Sequence, residues 1–109
     1  MPMDFLKMMQ AAQQVSGKMR ELQESLQRMS VTGSAGGGLV SVTVDGRGTM
    51  QSVRLDPATV QGGDVEMLED LVAVATQDAQ RKAREQAEAE MQRLAGGLGL
   101  GNLPFSLPF

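Results

Sequence analysis

A chain of 109 residues and 11.6 kDa is one domain by length, with too little volume to enclose a large core unless a partner helps. It contains no cysteine and no histidine, which removes thiolate and imidazole chemistry, disulfides, and the usual zinc, iron and copper ligand sets. A formal net charge of -3 argues against a simple polybasic nucleic-acid binder, so any such binding must rest on local patches.

From Phe5 to Met29 the apolar residues Phe5, Met8, Ala12, Val15, Met19, Leu22, Leu26 and Met29 recur at heptad spacing, which predicts one long amphipathic helix. Lys18, Arg20, Glu21, Glu24 and Arg28 fall off this seam and keep the remaining surface polar. Gly17 is its weak point, costing about 1 kcal/mol relative to alanine inside a helix. A seam rich in methionine adapts to irregular gaps but specifies register poorly.

Between Val31 and Pro57 the pattern changes to strand, turn, strand, turn, strand. Val40, Val42 and Val44 alternate with Ser41, Thr43 and Asp45, which puts apolar side chains on one sheet face and polar ones on the other. Gly36, Gly37 and Gly38 precede a strand rather than open a helix, so they read as turn residues. Asp45-Gly46 is expected to supply the positive dihedrals of a tight hairpin turn, with the register open between a two-residue and a longer loop. Leu55-Asp56-Pro57 ends the last strand, because proline cannot donate to a ladder. The expectation is an α+β chain with a small antiparallel sheet between helices.

The second long helix is predicted to begin after Gly62-Gly63, with Asp64 as N-cap and Glu66, Glu69 and Asp70 near its positive end. It should end near Ala95, where Gly96-Gly97 offers a cap. Met67, Leu68, Leu71, Val72, Val74 and Ala75 make its first half apolar enough to cover the sheet. Further along, Ala79, Ala83 and Ala87 form a thin stripe amid charges, which marks either a solvated arm or a close helix contact. Residues 96–109 have no helical or strand period and read as a tail to the domain of residues 1–95. That tail is either disordered or a hook whose Leu103, Phe105, Leu107 and Phe109 dock on a neighbouring protomer.

Helices of about 25 to 30 residues span roughly 38 to 45 Å, whereas strands of this length span only about 20 to 27 Å. Both helices must overhang the sheet. An overhanging seam of methionine and leucine is an apolar stripe that soluble monomers avoid, so the chain is expected to form an obligate homodimer or a larger assembly. Met8, Val15, Met19, Leu22 and Leu26 of the first helix, with Leu68 and Leu71 of the second, are the residues expected at that interface.

No apolar run reaches the roughly 18 residues of a membrane span, and the N-terminal residues lack a signal-like pattern, so a cytoplasmic protein is expected. No carboxylate sits in an apolar run that would raise its pKa, and no phosphate-binding glycine loop is present. We therefore expect no enzyme, no catalytic or metal-binding residue, no cofactor and no small-molecule substrate.

Taken in order, Val31 to Val40, then Val53-Arg54-Leu55-Asp56-Pro57, Met67 to Ala73, and Asp78-Ala79-Gln80-Arg81-Lys82 resemble the YbaB/EbfC family of bacterial nucleoid-associated proteins, over nearly the whole chain. The resemblance implies an α-β-β-β-α protomer, an intertwined homodimer whose two long helices project like tweezers, and binding to double-stranded DNA in the nucleoid. It also places basic positions at Lys18 and at the Arg81-Lys82 pair. Duplex binding requires Lys or Arg that reach phosphates together. Arg81, Lys82 and Arg84 form the densest basic cluster, and Lys7, Lys18 and Arg20 extend the candidate DNA-binding set along the first helix. No element reads as a recognition helix, so little sequence specificity is expected. The rival reading is a protein-interaction scaffold that acts with replication or recombination proteins through its helices and tail; the net negative charge favours it.

Overall fold

The computed structural model of the chain describes residues 4–97; the expected tail beyond them lies outside the described residues. Its elements are α1 (Phe5–Arg28), β1 (Val31–Ala35), a short 3-10 turn (Gly36–Gly38), β2 (Val40–Val44), β3 (Met50–Leu55), α2 (Pro57–Gln61) and α3 (Val65–Gly97). This is the expected α-β-β-β-α order with one short helix added before the last.

The heptad seam becomes α1 without interruption at Gly17, and Asp4 starts it by accepting the Leu6 N–H at 3.1 Å. The strands form an antiparallel sheet in the order β1-β2-β3, with Val42 opposite both Gly33 and Val53. Val40, Val42 and Val44 are fully buried, whereas Ser41 and Thr43 on the other face are only half-buried. On that polar face the Thr32 and Thr43 hydroxyls share a hydrogen bond of 3.0 Å.

The β2–β3 connection differs from the expected tight turn. It spans residues 45–49, and its positive φ of 86° falls at Gly48 rather than Gly46. The buried Asp45 carboxylate builds this longer loop: Oδ1 accepts the N–H groups of Arg47 at 2.9 Å and Thr49 at 3.0 Å, and the Arg47 guanidinium lies 3.3 Å from Oδ2. A bulge between Thr43 and Val44 absorbs the register shift. Gly46 is needed for a different reason: its N–H donates to the Leu26 carbonyl at 2.8 Å, and a Cβ there would lie 2.7 Å from Met29 Sδ.

Asp56-Pro57 also does more than end a strand. The Asp56 carboxylate accepts the Thr59 N–H at 3.0 Å, and Pro57 occupies the first turn of α2, where no intrahelical N–H partner is lost. Asp64 caps α3 as expected, taking the Met67 N–H at 3.0 Å. The helix then runs to Gly97, two residues past Ala95, so that Gly96 and Gly97 lie inside it.

Packing decides the role of the alanine stripe. Ala75, Ala79 and Ala83 bury against Val31, Ala35, Val40, Val42 and Val44, so α3 is seated on β1 and β2 through small side chains. Leu71 and Val72 flank this core, while Met67 and Val74, expected to cover the sheet, are exposed. Burial of each core valine contributes about 1.5–3 kcal/mol. At Gly33 the approach is closest: a Cβ would fall 2.2 Å from the Ala79 nitrogen. One turn beyond Ala83, Ala87 packs with Leu94 and Met91 against Leu22 and Leu26 of α1, and the Ser25 hydroxyl donates to Glu90 at 3.2 Å. The stripe is thus a close contact along its length, first to the sheet and then to a helix.

Beyond that contact α1 continues alone. Phe5 is 70% exposed, and Met8, Val15 and Met19 are also exposed, in a molecule measuring 72 × 21 × 17 Å. All six residues of β3 are exposed as well, because α3 covers β1 and β2 and stops short of the third strand.

Candidate nucleic-acid interface

The dense basic cluster of the sequence is divided by helix geometry. Successive residues of α3 are rotated by about 100°, so Lys82 and Arg84 leave on opposite flanks of the buried Ala83 while Arg81 points outward behind it. The Lys82 flank borders β1, because the neighbouring Asp78 accepts the Ser34 N–H at 3.0 Å. The Arg84 flank borders the β2–β3 loop, because Gln80, one turn earlier, donates to the Gly48 carbonyl at 3.1 Å. Sequence density is therefore not a single charged patch.

The charges are also partly engaged. Asp78 lies 2.9 Å from Arg81 Nη2 and 2.9 Å from Lys82 Nζ, and Glu85 takes the other Arg81 nitrogen at 2.9 Å. Hydrogen bonds from the Lys82 ammonium, the Ser34 N–H and the Arg81 guanidinium hold the Asp78 carboxyl at about 2, well below its ordinary value. The same carboxylates push the Arg81 pKa up. Lys18 sits 3.3 Å from Glu21, and Arg93 is bridged to Glu90. At Asp45 burial pushes the carboxyl up, but the Thr49 and Arg47 N–H groups and the Arg47 guanidinium outweigh it and leave it lowered. Among the described residues, Lys7, Arg20 and Arg84 are exposed and form no ion pair, and the same holds for Arg28 and Arg54.

The structure brings Arg81 and Lys82 together around one carboxylate, and it separates both from Lys7, Lys18 and Arg20 on α1. Asp78 and the Ser34 N–H were not part of the sequence-derived set. An acidic residue three and four positions before a basic pair was the available signal, but its tie to a strand N–H is made only by the fold. Leu22 and Leu26, expected at a dimer interface, are 3% and 2% exposed in the single chain, because they are already packed against α3. In the single chain almost none of their surface is open. Met8, Val15 and Met19 remain uncovered, and Leu68 and Leu71 are half-buried. Among the described residues no cluster of potential metal ligands occurs, and no helix is long and apolar enough to cross a membrane.

Residues 1–98 match the family profile described as the YbaB/EbfC DNA-binding family. The chain belongs to that family. A nucleoid-associated protein of Gemmatimonas aurantiaca is 41% identical over 107 residues, which cover 98% of this chain and 100% of the relative. One from Desulfotalea psychrophila is 43% identical over 93% of this chain and 95% of its own length, and one from Chloroflexus aurantiacus is 46% identical over 88% and 96%. A crystal structure of an uncharacterised Helicobacter pylori protein has the same fold, with a TM-score of 0.68 at 23% identity over 89% of this chain and 98% of that one.

Proposed function

We propose that this chain is a nucleoid-associated protein that binds double-stranded DNA as a homodimer, with little sequence specificity, through phosphate contacts from basic helix residues. The observation that carries the reading is membership in a DNA-binding family whose nucleoid-associated relatives align over nearly the full chain at about 40% identity. In this reading the protein is not an enzyme and resides on the nucleoid in the cytoplasm, organising or compacting the chromosome. Arg84, Arg20 and Lys7, exposed and unengaged, meet phosphate first, with Arg81, Lys82 and Lys18 joining as their carboxylate partners yield.

The homodimer is supported by the apolar surface that α3 leaves uncovered. Val53 and Leu55 of β3 share the sheet face of Val42 and Val40, yet they are 42% and 38% exposed. On α3, Val65, Leu68, Val72 and Ala73, with Glu69, line an open hollow of about 420 Å³. A two-fold partner covering the β3 face and this hollow removes exposed apolar surface from water and protects a bare strand edge. Met8, Val15 and Met19 extend the interface if the partner also reaches the projecting half of α1.

The test is fluorescence anisotropy with unrelated duplexes across a salt series, with mass measured in parallel. Similar affinities for all sequences, falling linearly in log salt by about 0.9 per phosphate engaged, from a species of at least twice 11.6 kDa, are expected. No binding at low salt overturns the reading in favour of a scaffold that binds replication or recombination proteins, which the net charge of -3 and the ion-paired cations favour.

A further inference from the structure

The contacts around Asp78 resemble those of a bound phosphate. Its Oδ1 accepts from Arg81 Nη2 at 2.9 Å, and its Oδ2 accepts from Lys82 Nζ at 2.9 Å and from the Ser34 N–H at 3.0 Å. A guanidinium, an ammonium and a strand N–H thus converge on two anionic oxygens, the donor set by which proteins hold nucleic-acid phosphates. The cradle faces outward: the Arg81 and Lys82 side chains are 53% and 42% exposed, and Ser34 is exposed. Two of the three donors sit one helical turn from Asp78 on its own helix, where ordinary ion pairing accounts for them. The third comes from β1, and it fixes the carboxylate at the seam between helix and sheet.

We propose that the Ser34 N–H, Arg81 and Lys82 form a subsite for a DNA backbone phosphate, and that Asp78 occupies it in the unbound protein as a resident competitor. The inference rests on the DNA-binding reading above. A phosphate entering the subsite must displace the Asp78 carboxylate, so the protein gives up affinity that its cations would otherwise supply. Glu85, on the second nitrogen of Arg81, adds to the same restraint.

Asp78→Asn separates this role from a structural one. The amide oxygen still accepts the Ser34 N–H and keeps the tie between β1 and α3, but it no longer holds two cations by charge. One additional phosphate contact steepens the salt slope by about 0.9, which corresponds to roughly eightfold tighter binding at 0.1 M salt. The full chain is titrated into a random-sequence duplex as wild type, Asp78→Asn, Asp70→Asn, Arg81→Gln/Lys82→Gln, and the triple variant. Asp70 lies on α3, two turns before Asp78, and its replacement makes the same change in net charge. Expected are tighter binding and a steeper slope for Asp78→Asn alone, less than a twofold change for Asp70→Asn, and no gain when Arg81 and Lys82 are absent. Equal gains from both Asn variants, or a gain that survives loss of the two cations, overturn the subsite. If wild type binds and the Arg81→Gln/Lys82→Gln protein binds as well, DNA binding stands and this cradle falls; if no variant binds, both fall. Should Asp78→Asn fail to fold, the Ser34 amide resonance of the wild type decides. It shifts on addition of duplex if Asp78 lets go, and an unchanged resonance at saturation refutes the exchange.

Discussion

Gly33→Ala probes the contact on which the fold is hung. A Cβ at position 33 falls 2.2 Å from the Ala79 nitrogen, 2.6 Å from the Ala75 oxygen and 2.7 Å from the Ala79 Cα. To restore ordinary contact at 3.4 Å, α3 and β1 must separate by about 1.2 Å. A gap of about 0.5–1 Å already forfeits a quarter to a half of the dispersion energy of each atom pair across it. Over-packing of this kind costs about 1–3 kcal/mol, and the upper end applies because the atoms met are helix backbone, which has no alternative rotamer. For a domain of this size that lowers Tm by about 12–24 °C, measured by far-ultraviolet circular dichroism at one protein concentration, since association shifts Tm. Adding Ala79→Gly should not rescue the variant, because none of the three atoms met belongs to the Ala79 side chain. A drop below about 3 °C, or rescue by Ala79→Gly, would refute the reasoning.

Gly17→Ala should stabilise the protein by about 0.5–1 kcal/mol, because its Cβ meets nothing within 4 Å on the exposed face of α1; urea midpoints check it, and a loss of stability sinks it. Asp45→Ala strips the β2–β3 loop of its acceptor for two N–H groups and should cost about 1–3 kcal/mol, with Asp45→Asn intermediate in the same urea assay. The folded Asp78 carboxyl titrates at about 2, below its ordinary 3.8, so its stabilisation is present above pH 3.8 and is lost as pH falls toward 2. The stability gap between wild type and Asp78→Asn should therefore close over that interval, and a gap independent of pH contradicts the assignment. Val53→Glu together with Leu55→Glu should reduce the sedimenting mass to 11.6 kDa while far-ultraviolet helicity persists, and an unchanged mass removes β3 from the proposed interface.

Period and punctuation carried the element order. The seam of α1, the Val40-Val42-Val44 alternation and the Asp64 cap are local features whose preferred structure depends on residues within a turn or a strand, so they were legible in advance. The sequence leaves the length of the hairpin loop open and puts its positive dihedrals at Asp45-Gly46, because Asp-Gly favours a tight turn in isolation; in the fold the buried Asp45 carboxylate gathers a five-residue loop around itself and the positive φ falls at Gly48. The α2 helix was missed because Asp-Pro ends a strand and starts a helix with the same two residues. The basic cluster was legible as composition, but helical rotation splits Lys82 from Arg84, and the contact between Asp78 and Ser34 joins residues 44 positions apart.

By itself the sequence determined the two long helices and the three strands, the absence of thiol and imidazole side chains, and that the helices outrun the sheet, because propensity, period and length act through near neighbours. Only the tertiary structure decided which apolar residues are already covered. Leu22, Leu26 and Ala87 bury one another, while Val53 and Leu55, on the same sheet face as the core valines, stay bare because α3 stops short of β3. The physical reason is that burial belongs to pairs of surfaces distant in the chain, and a side chain's polarity does not say which surface will meet it.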